Sequence, residues 1–271
     1  MQRRHTLRHL IWRGATAAVS NALMVTGAYP LLPHAVRALQ RDRGLIEHPV
    51  RAAIAEWGMA IATSTLRPAG WFPLPGGVGP RPIIVVHGYA QNRAVFLPLA
   101  YRLARAGLGP IVGFEYWTLG RVAAGARQLG WFVDHVLAET GAAQVDIIGH
   151  SMGGVVGRYL VAFGGGDGKV ANLVTLGSPH AGTEMSSVGL GHPARELLTG
   201  SKLLIRLSAA PAPTHTKILT IWSHADALVP SSTQADVPGA VRVEFTDLGH
   251  VALLGSRRVA RTIIERLGDG G

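Results

Sequence analysis

"VDIIGHSMGGVVGRYL", residues 145–160, is the stretch on which the reading of this chain turns. Its first six residues form an apolar, strand-like run, and its last six carry apolar residues at helical spacing. Between them stand Gly149, His150, Ser151, Met152, Gly153 and Gly154. A strand that passes straight into a helix through glycines is either a plain bend or a G-x-S-x-G turn. In that turn Gly149 and Gly153 let the backbone reverse tightly and lift the Ser151 hydroxyl into the open. In a chain with 35 glycines the pattern says little alone, so its surroundings must decide.

Working outward, "IIVVH" (83–87), "PIVGFE" (110–115), "NLVTLG" (172–177), "ILTIW" (218–222) and "VRVEF" (241–245) read, with 145–150, as buried strands. "AVFLPLAYRLARAG", "GRVAAGARQLGWFVDHVLAETG", "GGVVGRYLVAFG" and "VALLGSRRVARTIIERLG" read as the helices between and after them, most of them ending at glycine. Strands alternating with helices imply right-handed crossovers and a three-layer α/β/α body around a mostly parallel sheet. One irregular insert, 178–216, holds a predicted helix, "PARELLTGSKLLIRLSA". Its Leu197, Leu198, Leu203, Leu204 and Leu207 face either an acyl pocket or the body of the protein.

Such sheets place their chemistry beyond the carboxyl ends of the strands, where Ser151 falls. A serine hydroxyl needs a histidine base, itself oriented by a buried carboxylate. His250, in "FTDLGHVALLG", follows the last strand and is the expected base; Asp226, in "ILTIWSHADALVP", completes the order Ser, Asp, His. Asp146 lies about 16 Å toward the wrong edge, at roughly 3.3 Å per strand residue. Asp247 shares a short loop with His250 and reads as a turn residue. Two backbone N–H groups are expected to hold the developing oxyanion: Met152, after the nucleophile, and Tyr89, in "VHGYAQN" after the first strand. The plain readings are a strand-ending turn at Tyr89 and a packing role for His150.

The absence of cysteine among the 271 residues excludes disulfides, thiolate metal sites and a thiol nucleophile. The net charge of +10 is uneven: residues 1–51 hold eight arginines against two carboxylates, +6 of the total. These arginines flank Gly14–Val36, a stretch without Asp, Glu, Lys or Arg and about long enough to cross a bilayer. An uncleaved anchor, a signal peptide and an interfacial helix pair with "HPVRAAIAEWGMAIATSTL" are the competing readings; membrane association is the expected localisation and secretion the alternative. Lacking interleaved aromatics, the basic end does not point to nucleic acid. The Pro- and Gly-rich stretch 67–82 marks a domain boundary between an N-terminal segment (1–66) and a catalytic domain (83–271).

Together, "IIVVHGYAQN", "ETGAAQVDIIGHSMGGVVGRYL", "KVANLVTLGSPHAGTE", "KILTIWSHADALVP" and "VEFTDLGHVALLGSRRV" resemble the bacterial triacylglycerol lipases, especially the small Bacillus-type lipases of the α/β-hydrolase fold. The resemblance covers residues 81–268 and implies a carboxylic ester hydrolase without an organic cofactor. The sequence singles out no metal-ligating residues, and calcium binding does not follow from it. It implies a triad at Ser151, Asp226 and His250 and oxyanion donors at Tyr89 and Met152, acting on lipid or other small acyl esters. Acyl transfer and thioester hydrolysis would use the same triad, and a silent hydrolase-fold binding protein would keep the fold without the reaction. The N-terminal 80 residues and the long insert depart from the smallest members, so oligomeric state and substrate range do not follow from the resemblance.

Overall fold

The computed structural model describes residues 46, 49–65, 67–184, 186, 189–229 and 237–268. The stretch Gly14–Val36, expected to meet a membrane, lies outside them. Among the described residues no helix is long and apolar enough to cross a bilayer.

Among the described residues six strands form one sheet: β1 (Ile83–Val86), β2 (Ile111–Phe114), β3 (Val145–His150), β4 (Val170–Leu176), β5 (Lys217–Ser223) and β6 (Ala240–Phe245). Their order is β2-β1-β3-β4-β5-β6, and every neighbouring pair is parallel. Residues alternate between the two faces, and both faces are covered. Ile83 and Val85 face one core with α2 (Leu97–Arg105), α7 (Ala252–Gly255) and α8 (Arg257–Gly268). Ile84 and Val86 face the other, with α3 (Val122–Thr140) and α4 (Met152–Phe163). This is the three-layer α/β-hydrolase architecture expected from the sequence.

Three expectations change. The strand 241–245 is not buried: β6 is an edge strand, and Val241 is 50% exposed. The single helix expected over 193–209 is two, α5 (Pro193–Glu196) and α6 (Lys202–Ser208). Gly200 takes a left-handed φ of +76°, and Ser201 turns extended and caps α6 by accepting the Leu204 N–H. The last expected helix likewise breaks at Ser256, whose backbone is extended, into α7 and α8.

Helix α1 (Pro49–Thr65) precedes the Pro- and Gly-rich stretch yet packs on the body. Ala52 and Thr63 are buried, Ala52 clusters with Ile46 and Ala225, and Met59 packs against the first core.

Candidate active site

The sheet order reverses direction between β1 and β3, so the loops leaving their carboxyl ends diverge and open a crevice. Ser151 stands there, one residue past β3. Its φ of 54° and ψ of −127° are outside the ordinary range for a residue with a side chain, the strained geometry of an elbow. The strain is held by the Ser151 N–H donating to Leu176 O (2.8 Å) and by close backbone packing. A Cβ at Gly153 would lie 2.1 Å from Val86 O, and one at Gly149 would lie 2.5 Å from Gly154 Cα. Those glycines are therefore obligatory for the turn.

The loop after β5 brings Asp226 to the loop that carries His250. His250 Nδ1–H donates to Asp226 Oδ2 at 2.7 Å, and both residues are buried, at 3% and 1% exposure. Asp226 Oδ1 accepts the N–H groups of Leu228 (2.9 Å) and Val229 (2.8 Å), which locks the carboxylate plane. Burial disfavours a charged imidazole, but the Asp226 charge and hydrogen bond, aided by Glu56, outweigh it, so the His250 pKa is raised. The two loops meet over Gly177, at φ +53°, where a Cβ would sit 2.9 Å from Asp226 Oδ2 and 3.1 Å from His250 Nδ1.

His150 ties the elbow to this pair. Its ring lies 4.6 Å from that of His250, and its Nε2 is 3.1 Å from the His250 carbonyl oxygen. Burial, then the neighbouring His250, pushes its pKa well down, so it is a neutral packing group and donor. The hydroxyl of Ser151 is not hydrogen-bonded to His250 among the described residues, a contact that catalytic sites commonly close around substrate.

The loop after β1 approaches from the other side. Gly88 passes so close that a Cβ there would lie 2.8 Å from Ser151 Cβ. The Gly88 N–H donates to Gln91 Oε1 (3.1 Å) and the Ala90 N–H to Thr118 Oγ1 (3.3 Å), leaving the N–H of Tyr89 between them. Met152 is the first residue of α4, so its N–H has no intrahelical acceptor. The Tyr89 hydroxyl accepts the Leu190 N–H (2.7 Å) and fastens the loop to the insert.

The rivals lie elsewhere. Asp146, at the start of β3, accepts from Asn172 Nδ2 (2.8 Å) and Arg81 (3.4 Å). Asp247 pairs with Arg258. His180 braces its loop 3.0 Å from Thr175 Oγ1, its pKa pushed down to about 3 by burial and the Arg158 charge. In the insert, Leu197, Leu204 and Leu207 are buried in the second core, and Arg158 donates to Leu207 O (2.8 Å), so these leucines pack on the body. Among the described residues no group of three or more His, Asp or Glu is arranged to hold a metal ion.

A family model described as a domain of unknown function, DUF7379, matches residues 47–241. The chain belongs to the DUF7379 family. Over 60 residues this DUF7379 member is 46% identical to a triacylglycerol lipase of Pseudarthrobacter phenanthrenivorans, a match covering 22% of this chain and 18% of the lipase. A triacylglycerol lipase of Burkholderia plantarii matches equally over 60 residues, 16% of its length. The chain thus aligns with less than two thirds of these relatives. Among solved structures, the mature Bacillus licheniformis lipase BlEst2 superimposes with a TM-score of 0.60 at 14% identity, over 72% of this chain and 95% of that one. The Paleococcus ferrophilus monoacylglycerol lipase does so with a TM-score of 0.56 at 16% identity, over 74% and 99%. At such identities the likeness shows a shared α/β-hydrolase fold for this DUF7379 member.

The site contains two residues that sequence reasoning passed over, Gly177 and Glu56. Gly177 follows a strand directly, a position where close approach is common. Glu56 is the single acid in the 17 residues of α1.

Proposed function

We propose that this protein is a serine-dependent carboxylic ester hydrolase. The observation that carries the reading is the buried 2.7 Å His250–Asp226 pair at the same sheet edge as Ser151 in its strained elbow. Ser151 Oγ attacks the ester carbonyl carbon as its proton passes to His250 Nε2, and the Tyr89 and Met152 N–H groups hold the oxyanion. The intermediate collapses, the C–O bond to the alcohol breaks, and His250 returns the proton to the leaving alkoxide. Water, deprotonated by His250, then attacks the acyl-enzyme, and the carboxylic acid leaves Ser151 with its proton restored. A fluorophosphonate probe is expected to label Ser151 stoichiometrically. Ser151→Ala is expected to lower kcat by about 10⁴ to 10⁶; unlabelled, folded protein would sink the reading.

Lipid esters at a membrane surface are the substrate class this reading favours. The outward face of α1 supports it: Val50, Ile54, Trp57 and Ile61, spaced on one side of the helix, are 60–72% exposed. The +6 charge of residues 1–51 is complementary to anionic headgroups. Full-length protein should sediment with anionic vesicles and Ile54→Glu/Trp57→Glu should bind them less; recovery of the parent in the supernatant refutes this part alone.

A further inference from the structure

Helix α1 has two distinct faces. The inner one, Ala52, Glu56, Met59 and Thr63, is turned to the catalytic loops. Ala52 packs beside Ala225, which directly precedes Asp226. Glu56 reaches the loop after His250: its carboxylate accepts the Val251 N–H (2.8 Å to Oε2, 3.0 Å to Oε1) and the Ala252 N–H (2.9 Å). These N–H groups open the short helix α7 and have no acceptor within it. The fit leaves no room on the near side, since a Cβ on Gly249 would stand 2.5 Å from Glu56 Oε2. Met59 packs equally tightly over Gly255, at 2.6 Å from a Cβ there. Glycines at 249 and 255 thus allow α1 to lie directly on the segment that begins at His250.

We propose that Glu56 is a positioning residue for the ester hydrolysis: from α1 it holds, through the N–H groups of Val251 and Ala252, the loop that carries His250. The inference rests on the proposed role of His250 as base. A carboxylate here does two things. It fixes the backbone immediately after His250, and it places a negative charge behind a ring that becomes positive in the transition state. The charged and titratable groups facing His250 are Asp226, Glu56 and His150, and the last is neutral through burial. Glu56 is itself raised by burial, against which its two backbone hydrogen bonds and the His250 charge act. It touches none of the reacting atoms, so its removal should be felt in kcat rather than KM.

The test compares full-length parent with Glu56→Gln. With its carbonyl oxygen in the Oε2 position Gln still accepts both N–H groups; its amide NH₂ stands where Oε1 shares the Val251 N–H, and the charge is removed. The downfield Nδ1–H resonance of His250 is followed by NMR against pH, and kcat and KM are measured on a p-nitrophenyl ester over the same range. In the variant the imidazole is expected to titrate at lower pH than in the parent. Its kcat is expected to fall about 10- to 100-fold, the range of one charge-assisted hydrogen bond, with KM within about twofold of the parent. Gly249→Ala, which drives a methyl group into the carboxylate, should move both readouts the same way and serves if Glu56→Gln does not fold. A folded variant that loses only thermal stability, with titration and kcat unchanged, overturns the proposal and leaves Glu56 a structural residue. If the parent hydrolyses no ester, the proposed function fails, while the His250 titration still decides the role of Glu56.

Discussion

Asp226→Asn asks what the carboxylate does that an isosteric amide cannot, and the structure determines which way the amide must point. Asp226 Oδ1 accepts two backbone N–H groups, from Leu228 and Val229, so the Asn carbonyl oxygen is held at that position. An NH₂ there would oppose two donors, at a cost of about 1–3 kcal/mol for each unsatisfied buried group. The amide NH₂ therefore faces His250 Nδ1, where Oδ2 accepts at 2.7 Å in the parent. To pair with a donor, Nδ1 must present its lone pair, which moves the ring proton to Nε2. An imidazole protonated at Nε2 cannot take the proton of Ser151. The expected loss in kcat is about 10⁴-fold, or about 5.4 kcal/mol of transition-state stabilisation. Initial rates on p-nitrophenyl butyrate, with circular dichroism to show the fold intact, measure it. Activity within tenfold of the parent would mean that Asp226 does not set the tautomer of His250, and the assignment of the acid would have to be withdrawn.

Gly177→Ala would force a methyl group within about 3 Å of the Asp226–His250 bond at a left-handed φ; about 1–2 kcal/mol of backbone strain plus the distorted pair should lower kcat at least tenfold, and unchanged kcat would contradict the packing described. Gly153→Ala, with its Cβ 2.1 Å from Val86 O, is expected to abolish soluble expression or the elbow itself, judged by loss of fluorophosphonate labelling. Because the base works only when neutral and the His250 pKa is raised, kcat/KM should rise with pH through an acid limb above the ordinary histidine value of about 6.5; a limb below that value would argue against the Asp226 pairing. Asp167 accepts the N–H groups of Thr214, His215 and Thr216; despite a burial cost in the other direction, these hold its pKa below the ordinary aspartate value. Its stabilisation is therefore present above that value and lost as pH falls through the lower folded pKa, so the Tm deficit of Asp167→Asn at pH 7 should shrink toward pH 2.5; a constant deficit refutes the linkage.

The strands were legible because a sheet covered on both faces needs mostly apolar runs: 83–86 is wholly apolar, and 145–150 and 170–176 are interrupted only by Asp146, His150, Asn172 and Thr175. β6 was misjudged as buried on the strength of Val241, Val243 and Phe245, although the alternating Arg242 and Glu244 already marked a strand with a polar face, as its place at the sheet edge shows. The predicted helix 193–209 was wrongly continuous because its periodicity survives the break at Gly200 and Ser201. Local spacing cannot reveal that Ser201 caps a new helix.

What the sequence by itself determined is the elbow and the chain order of Ser151, Asp226 and His250. These follow from local backbone chemistry, glycines where a Cβ has no room, and polar residues placed just after strands. Only the tertiary structure decided that Asp226 presents one oxygen to the backbone and the other to His250. It alone showed that Gly177 clears the space between them, and that the lone acid of α1 reaches the loop behind His250, 195 positions further along the chain. The Asp226 bonds to Leu228 and Val229 are local, but the contacts of Asp226 with His250, of Gly177 with both and of Glu56 with the loop after His250 join segments with no local relation. Such partners leave no period, cap or turn signal for a linear reading to find.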